Sequence, residues 1–254
     1  MYDQPAYRVS TPPASSPTVA PVAPMLPLRI FRLRTLAGAN VAGLLLGGSF
    51  FGFIFIGTLY MQQVLGYSAL KTGVAWLATS LTALALAGPA QILVTRTSAK
   101  LVMAAGMALA GAGILWATQM PAHGQFWANL AGPLFVTGGA IFAFITVSIG
   151  ALAGIADHDA GIASGLLNTS QQIGGAIGVA VASTVAATHS RLLLGQGHAA
   201  AASLTGGFQW AFWVSGLTAL AAVPVTFLLI RRTEIARAVA ASMQREAPAP
   251  APAG

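Results

Sequence analysis

Long apolar windows fenced by single basic residues set the layout of this chain. No Asp, Glu, Lys or Arg occurs from Thr35 to Leu70, Thr72 to Thr95, Leu101 to Ala156, Ala160 to Ser190, or Leu192 to Ile230. About 20 helical residues rising about 1.5 Å each cross the roughly 30 Å hydrocarbon core of a bilayer. Each window therefore carries one crossing, except the third. That window is 56 residues long and divides at the turn-forming stretch Met120-Pro121-Ala122-His123-Gly124. The pattern predicts an all-α membrane protein with six transmembrane helices, at about 39–62, 72–94, 101–119, 126–150, 161–187 and 207–230.

The fifth window departs from the apolar pattern. Between Gly161 and Gly178 it reads GIASGLLNTSQQIGGAIG, with Ser164, Asn168, Thr169, Ser170, Gln171 and Gln172 together. Hydrocarbon offers such groups no hydrogen-bond partner, so this helix is expected to turn them toward protein or a watery cavity. Gly161, Gly165, Asn168, Gln172 and Gly175 share one helical face by their spacing. Gly161/Gly165 and Gly174/Gly178 are small-xxx-small pairs, expected to admit a neighbouring helix at close range. The amides serve either as the wall of an interior space or as hydrogen-bonding glue between helices.

Composition fixes the class. The chain has 254 residues, 56% hydrophobic and only 7% charged, against about 25% charged in ordinary soluble domains. That is too few charges to cover a soluble surface. The net charge of +7 comes from Lys and Arg scattered between apolar runs rather than gathered in a patch, which argues against nucleic acid as a partner. With no cysteine, disulfides, thiolate metal sites and cysteine nucleophiles are excluded. No metal, cofactor or catalytic residue is expected. None of the five acidic residues falls in a predicted crossing, and the four His are read as loop residues.

Lys and Arg placement predicts orientation. With both termini in the cytoplasm, Arg29, Arg32, Arg34, Arg96, Lys100, Arg231, Arg232, Arg237 and Arg245 lie inside, and only Lys71 and Arg191 lie outside. Arg96 and Lys100 then share one cytoplasmic loop and Asp157 and Asp159 another, where Asp159 is placed to N-cap the fifth helix. The tryptophans Trp76, Trp116, Trp127, Trp210 and Trp213 read as interface anchors. The expected domains are a disordered Pro/Ala/Ser-rich tail over 1–27, the six-helix domain over 28–235, and a cytoplasmic tail over 236–254 that ends in the disordered run APAPAPAG.

An internal repeat is also legible. Gly47-Gly48-Ser49-Phe50-Phe51-Gly52-Phe53-Ile54 matches Gly138-Gly139-Ala140-Ile141-Phe142-Ala143-Phe144-Ile145 at five of eight positions, 91 residues apart. The same offset carries the second helix onto the fifth. Three crossings per copy force the second copy upside down, the inverted 3+3 repeat of many secondary transporters.

Two segments carry a family resemblance. One is Leu59-Tyr60-Met61-Gln62-Gln63-Val64-Leu65-Gly66-Tyr67-Ser68, followed by Leu70 and Gly73. The other is Ala163-Ser164-Gly165, Asn168-Thr169, Gln172 and Gly174-Gly175. On these residues, 28–235 resembles the C-terminal six-helix half of a major facilitator superfamily transporter, specifically the fourteen-helix drug:proton antiporter (multidrug efflux) branch. The chain departs from that branch at Gln171, where members usually carry Arg. It departs again at Thr95-Arg96-Thr97-Ser98-Ala99-Lys100, which lacks the family's acidic residue and glycine, and at Lys71, where an acidic residue is common. The resemblance implies a plasma-membrane protein that moves amphipathic or cationic small molecules across the lipid bilayer, working with an N-terminal half or a second copy. It also implies a cavity lined by helices 1, 2, 4 and 5, with Ser164, Asn168, Gln171 and Gln172 as polar groups and Phe51, Phe53, Tyr60, Phe142 and Phe144 as aromatic surface. For the aromatics, core packing or lipid contact is the other reading. Gly161, Gly165, Gly174, Gly175 and Gly178 are expected in helix packing. The resemblance places the main proton-coupling carboxylates in an N-terminal half, so this half alone is expected to be incomplete. The alternative is a truncated, non-transporting fragment. An intramembrane enzyme or a channel fits less well: the rhomboid-type serine motif wants glycine where Ile162 stands, and no charged ring or pore signature appears.

Overall fold

The computed structural model describes residues 34–155 and 157–229; the two tails lie outside the described residues. The described residues form helices and turns without a strand. The helices are α1 (Arg34–Leu59), α2 (Ala69–Arg96), α3 (Ala99–Ala117), α4 (Ala131–Gly138), α5 (Ile141–Leu152), α6 (Ala160–Gly195) and α7 (Ala200–Leu229). Wide π-helical turns extend α1 over Tyr60–Val64 and precede α4 over Phe126–Leu130. Six helical stretches are long and apolar enough to cross a membrane, with α4 and α5 together making the fourth.

The first helix starts at Arg34 rather than about 39, and three further features differ from the sequence expectation. The fourth crossing is broken at Gly138-Gly139-Ala140, where Gly139 N donates to Val136 O and Ala140 N to Thr137 O in tightened i→i+3 turns. The fifth helix continues past 187 to Gly195, because one exposed Arg191 on its surface does not interrupt a helix. It stops where Gly197 adopts φ +86°, a left-handed conformation open to glycine. The sixth crossing starts at Ala200 rather than 207. His189, expected in a loop, therefore lies on α6, its ring stacked 4.7 Å from that of Trp210. Asp159 holds the N-cap position of α6 but makes no capping hydrogen bond; its carboxylate is 3.3 Å from His158 Nε2.

Successive crossings alternate in direction. Tyr60 at the end of the first donates to Pro121 O before the fourth (2.6 Å), and Gln209 near the start of the sixth donates to Met120 O (3.0 Å). At the other end, Lys100 at the start of α3 donates to Phe227 O near the end of α7 (2.6 Å). One core cluster around Leu36, Met103, Val147 and Leu167 fills that second end. Another around Phe53, Tyr60, Ile114, Leu134 and Phe212 fills the first. Ala110, Ala140 and Ala219 meet between them.

Packing follows the inverted repeat. α1 lies against α6 and α7 as α4 and α5 lie against α2 and α3. The repeated glycines make equivalent contacts. A methyl group added at Gly47 would strike the backbone of Gln171 on α6. One added at Gly138 would come within 2.6 Å of Thr82 Cβ and 2.8 Å of Thr79 O on α2. The position 91 before Gln171 is Ser80, inside that Thr79–Thr82 stretch.

In hydrocarbon the apolar effect gives helices no reason to associate, so close van der Waals packing does it. The α1/α6 seam is built for that, with Gly174 against the Leu44 carbonyl and Gly178 against the Gly48 carbonyl. Gly161 and Gly165 differ from expectation: both are exposed, with no atom within 4 Å of a built Cβ. Of the two small-xxx-small pairs, only Gly174/Gly178 receives a neighbour within this chain. Gly174→Leu is therefore expected to destabilise the bundle by about 3 kcal/mol or more through overpacking. Gly165→Leu should stay within about 0.5 kcal/mol. Thermal unfolding of the two variants in detergent measures the contrast.

Candidate functional site

α6 and its repeat mate α2 are the least enclosed crossings. Only 17% and 22% of their apolar windows are buried, against 56% for the first, third and fourth crossings. On α6 one side is sealed against α1 by Ala163, Leu167 and Gly174. The opposite side, carrying Gly161, Ser164, Gly165, Asn168, Thr169 and Gln172, is exposed.

The polar groups on this open face divide by chemistry. Ser164 Oγ donates back to Gly161 O (3.0 Å), and Thr169 Oγ1 to Gly165 O (2.9 Å). Those hydroxyls are satisfied by their own helix, as Ser and Thr commonly are. Asn168 and Gln172 have no hydrogen-bond partner among the described residues. They stand four residues apart, one turn above the other on the same face. Gln171 is turned to the seam, its Cγ 3.4 Å from a Cβ built at Gly43. It lies beside the open face rather than on it.

The aromatic candidates separate by position around their helices. Phe51 is 39% exposed and covers Gly175 on α6, so its ring borders the amide face one turn beyond Gln172. Phe50 bridges it to the fourth crossing, with ring centroids 6.4 Å from Phe51 and 5.3 Å from Phe144. Phe144 and Phe142 are half-buried and pack against the core near the α5 end. Phe53 and Tyr60 are 0% and 1% exposed, so neither offers surface to a ligand. Phe53 packs edge-on against Trp76 at 5.4 Å. Trp76, half-buried, in turn donates to Thr58 Oγ1 of α1 at 3.1 Å.

The expected basic loop is split in role. Arg96 is exposed at the end of α2, whereas Lys100 closes α3 onto α7 through Phe227, its Nζ also 5.2 Å from that ring. Asp157 opens the single-turn 3-10 helix before α6.

One interhelical pair escapes sequence reasoning. Asn40 on α1 is buried; its Nδ2 donates to Leu36 O (2.8 Å), and its Oδ1 accepts from Ser170 Oγ on α6 (2.8 Å). The signal was a lone amide in the first apolar window, near its edge. The bond fixes the rotation of α6 so that Asn168 and Gln172, on other sides of the helix from Ser170, face away from α1.

The profile of the Major Facilitator Superfamily matches residues 5–179. The chain belongs to that superfamily. The match covers more than half of the chain, and it begins inside the Pro-rich stretch that lies outside the described residues. The superfamily member is similar to the cephamycin export protein CmcT of Amycolatopsis lactamdurans, 34% identical over 166 residues, covering 64% of this chain and 34% of that one. It is also similar to the puromycin resistance protein pur8 of Streptomyces alboniger, 32% identical over 223 residues, covering 84% and 44%. A third is the methylenomycin A resistance protein of Streptomyces coelicolor, 29% identical over 168 residues, covering 64% and 34%. The chain thus spans between a third and under half of the length of these curated relatives.

Ser170→Ala is expected to cost about 0.6 kcal/mol, and at most about 1.7, the range for interhelical hydrogen bonds in membranes. Thr169→Ala, whose hydroxyl bonds only its own helix, should change stability by less than about 0.5 kcal/mol. Equilibrium unfolding in mixed micelles resolves the difference.

Proposed function

We propose that this superfamily member is half of a drug-export transporter, carrying amphipathic or cationic small molecules across the plasma membrane together with a second six-helix bundle. The observation that carries the reading is the open amide face of α6. Two unpartnered amides beside an exposed phenyl ring, on a helix otherwise built for lipid, demand a polar counterpart that acyl chains cannot supply. A cavity between two bundles supplies it, at the midplane position where secondary transporters hold their substrates. The names of the similar proteins, a cephamycin export protein and resistance proteins for puromycin and methylenomycin A, support small-molecule export.

In this reading Asn168 and Gln172 donate and accept hydrogen bonds to the passing molecule, and Ser164 and Gln171 flank them. Phe51 offers an aromatic face that attracts a cationic centre by about 0.5–2 kcal/mol. Phe50 and Phe144 hold that ring in place. Gly161 and Gly165, open in this half, leave room for a helix of the other half to approach. Orientation with both termini in the cytoplasm rests on the excess of Lys and Arg on that side. Lys71 and Arg191, both exposed, then stand on the outer face. Proton coupling falls to the other bundle, because the crossings described here contain no carboxylate.

The absence of native cysteine makes the test clean. In intact membranes, Asn168→Cys and Gln172→Cys are expected to react with a water-soluble maleimide, and ethidium should slow the reaction. Ile177→Cys serves as the apolar control and should react slowly. No labelling at either amide position overturns the cavity assignment. The double variant Asn168→Leu/Gln172→Leu should insert normally yet lose export in cells where the unaltered chain and a second bundle provide it.

A further inference from the structure

The far end of α6 carries a histidine outside the amide face. His189 is half-buried, and its ring stacks on that of Trp210 of α7, with centroids 4.7 Å apart and planes inclined by 20°. We propose that this pair is an acid-strengthened clamp, holding α6 and α7 together at the end of the bundle that carries Lys71 and Arg191.

Its level in the bundle gives the pair access to water. Trp210 follows Gln209, whose Nε2 donates to Met120 O in the turn after the third crossing. The pair therefore stands level with a turn, where crossings end, and Trp210 is 53% exposed. Beside it the two helices touch through backbone: a methyl group added at Gly207 would strike Ser190 Oγ and Ala186 O. Residues 196–199 alone join α6 to α7.

Hydrogen bonding fixes where acid adds its proton. His189 Nδ1 lies 3.1 Å from Val185 O. A carbonyl only accepts, so Nδ1 carries the proton of the neutral ring and Nε2 takes the second. The ring is then a cation lying on an indole, the best of the aromatic faces for one. That attraction adds to the neutral stack. It is present in acid and lost as the pH rises through about 5 to 8, the interval in which histidine changes charge.

No acid stands nearby to meet the cation instead. α7 has no ionisable side chain from Ala200 to Leu229. Arg191, two residues on, points from another side of α6. His198 in the joining turn has its Nδ1 3.2 Å from Leu193 O. The turn after the third crossing offers the exposed His123, and the end of α1 offers Tyr60, whose hydroxyl donates to Pro121 O. The described carboxylates, Asp157 and Asp159, precede α6 at its opposite end. In the proposed orientation the clamp reads the pH outside the cell; the contact itself does not depend on that orientation.

The test takes the purified full chain in non-ionic detergent from about pH 8 to about pH 5, across the histidine interval. An imidazolium against an indole quenches its emission, so tryptophan fluorescence is expected to fall on acidification. Protection of residues 186–210 against hydrogen exchange, corrected for the intrinsic pH dependence, should rise about two- to fivefold, the size of an exposed cation–π contact. H189Q and W210L remove the contact from opposite sides. Each should abolish the exchange response and diminish the fluorescence fall, with helix content unaltered. Fluorescence or exchange that ignores pH in the unaltered chain overturns the proposal, as does a gain in protection that survives either substitution.

Discussion

Backbone-to-backbone contact between α1 and α6 governs this bundle. Lipid removes the hydrophobic push that assembles soluble helices, and the contact energy must come from atoms brought very close. Gly47 and Gly48 on one helix and Gly174 and Gly178 on the other permit that approach. Once the seam is closed, the rotation of α6 is no longer free. The Asn40–Ser170 hydrogen bond then holds the register. What remains of the circumference of α6 is the amide face, so the orientation of Asn168 and Gln172 is a by-product of how tightly the other side is packed.

The inverted repeat applies the same solution twice and then diverges. Gly138 lets the fourth crossing close on α2 as Gly47 lets α1 close on α6. The two helices gripped in this way, α2 and α6, are also the two left most open. Their free faces differ in how polar groups are spaced: on α6 they gather between Ser164 and Gln172, whereas on α2 the exposed Ser80 and Gln91 stand eleven residues apart among leucines.

The six crossings were legible because charge is so costly in hydrocarbon that single basic residues mark where lipid ends. The inverted repeat was legible for a similar reason, since glycines needed at one backbone contact recur at its mate. Side-chain direction was not. Phe51 and Phe53 differ by two positions, which on a helix is just over a half-turn, and that places one ring at the surface and the other in the core. The two small-xxx-small pairs of α6 look alike in sequence, yet only Gly174/Gly178 has α1 opposite. Which pair is used depends on where the neighbouring axis crosses, a property of the whole bundle. The break at Gly138-Gly139 was visible as a motif but not as tightened turns within one crossing, because the same Gly-Gly pair at Gly47-Gly48 leaves α1 continuous. Asn40 was passed over since its partner is 130 residues away in sequence.

The length of α6 carries a mechanical consequence. At 36 residues it measures about 54 Å, while a helix tilted by about 40° needs only some 26 residues to traverse the hydrocarbon. Leaning cannot absorb the excess, and roughly ten residues must project beyond the acyl layer. With His189 stacked on Trp210 and Arg191 facing outward, the far end of α6 and the first turns of α7 make a stiff parapet above the membrane plane.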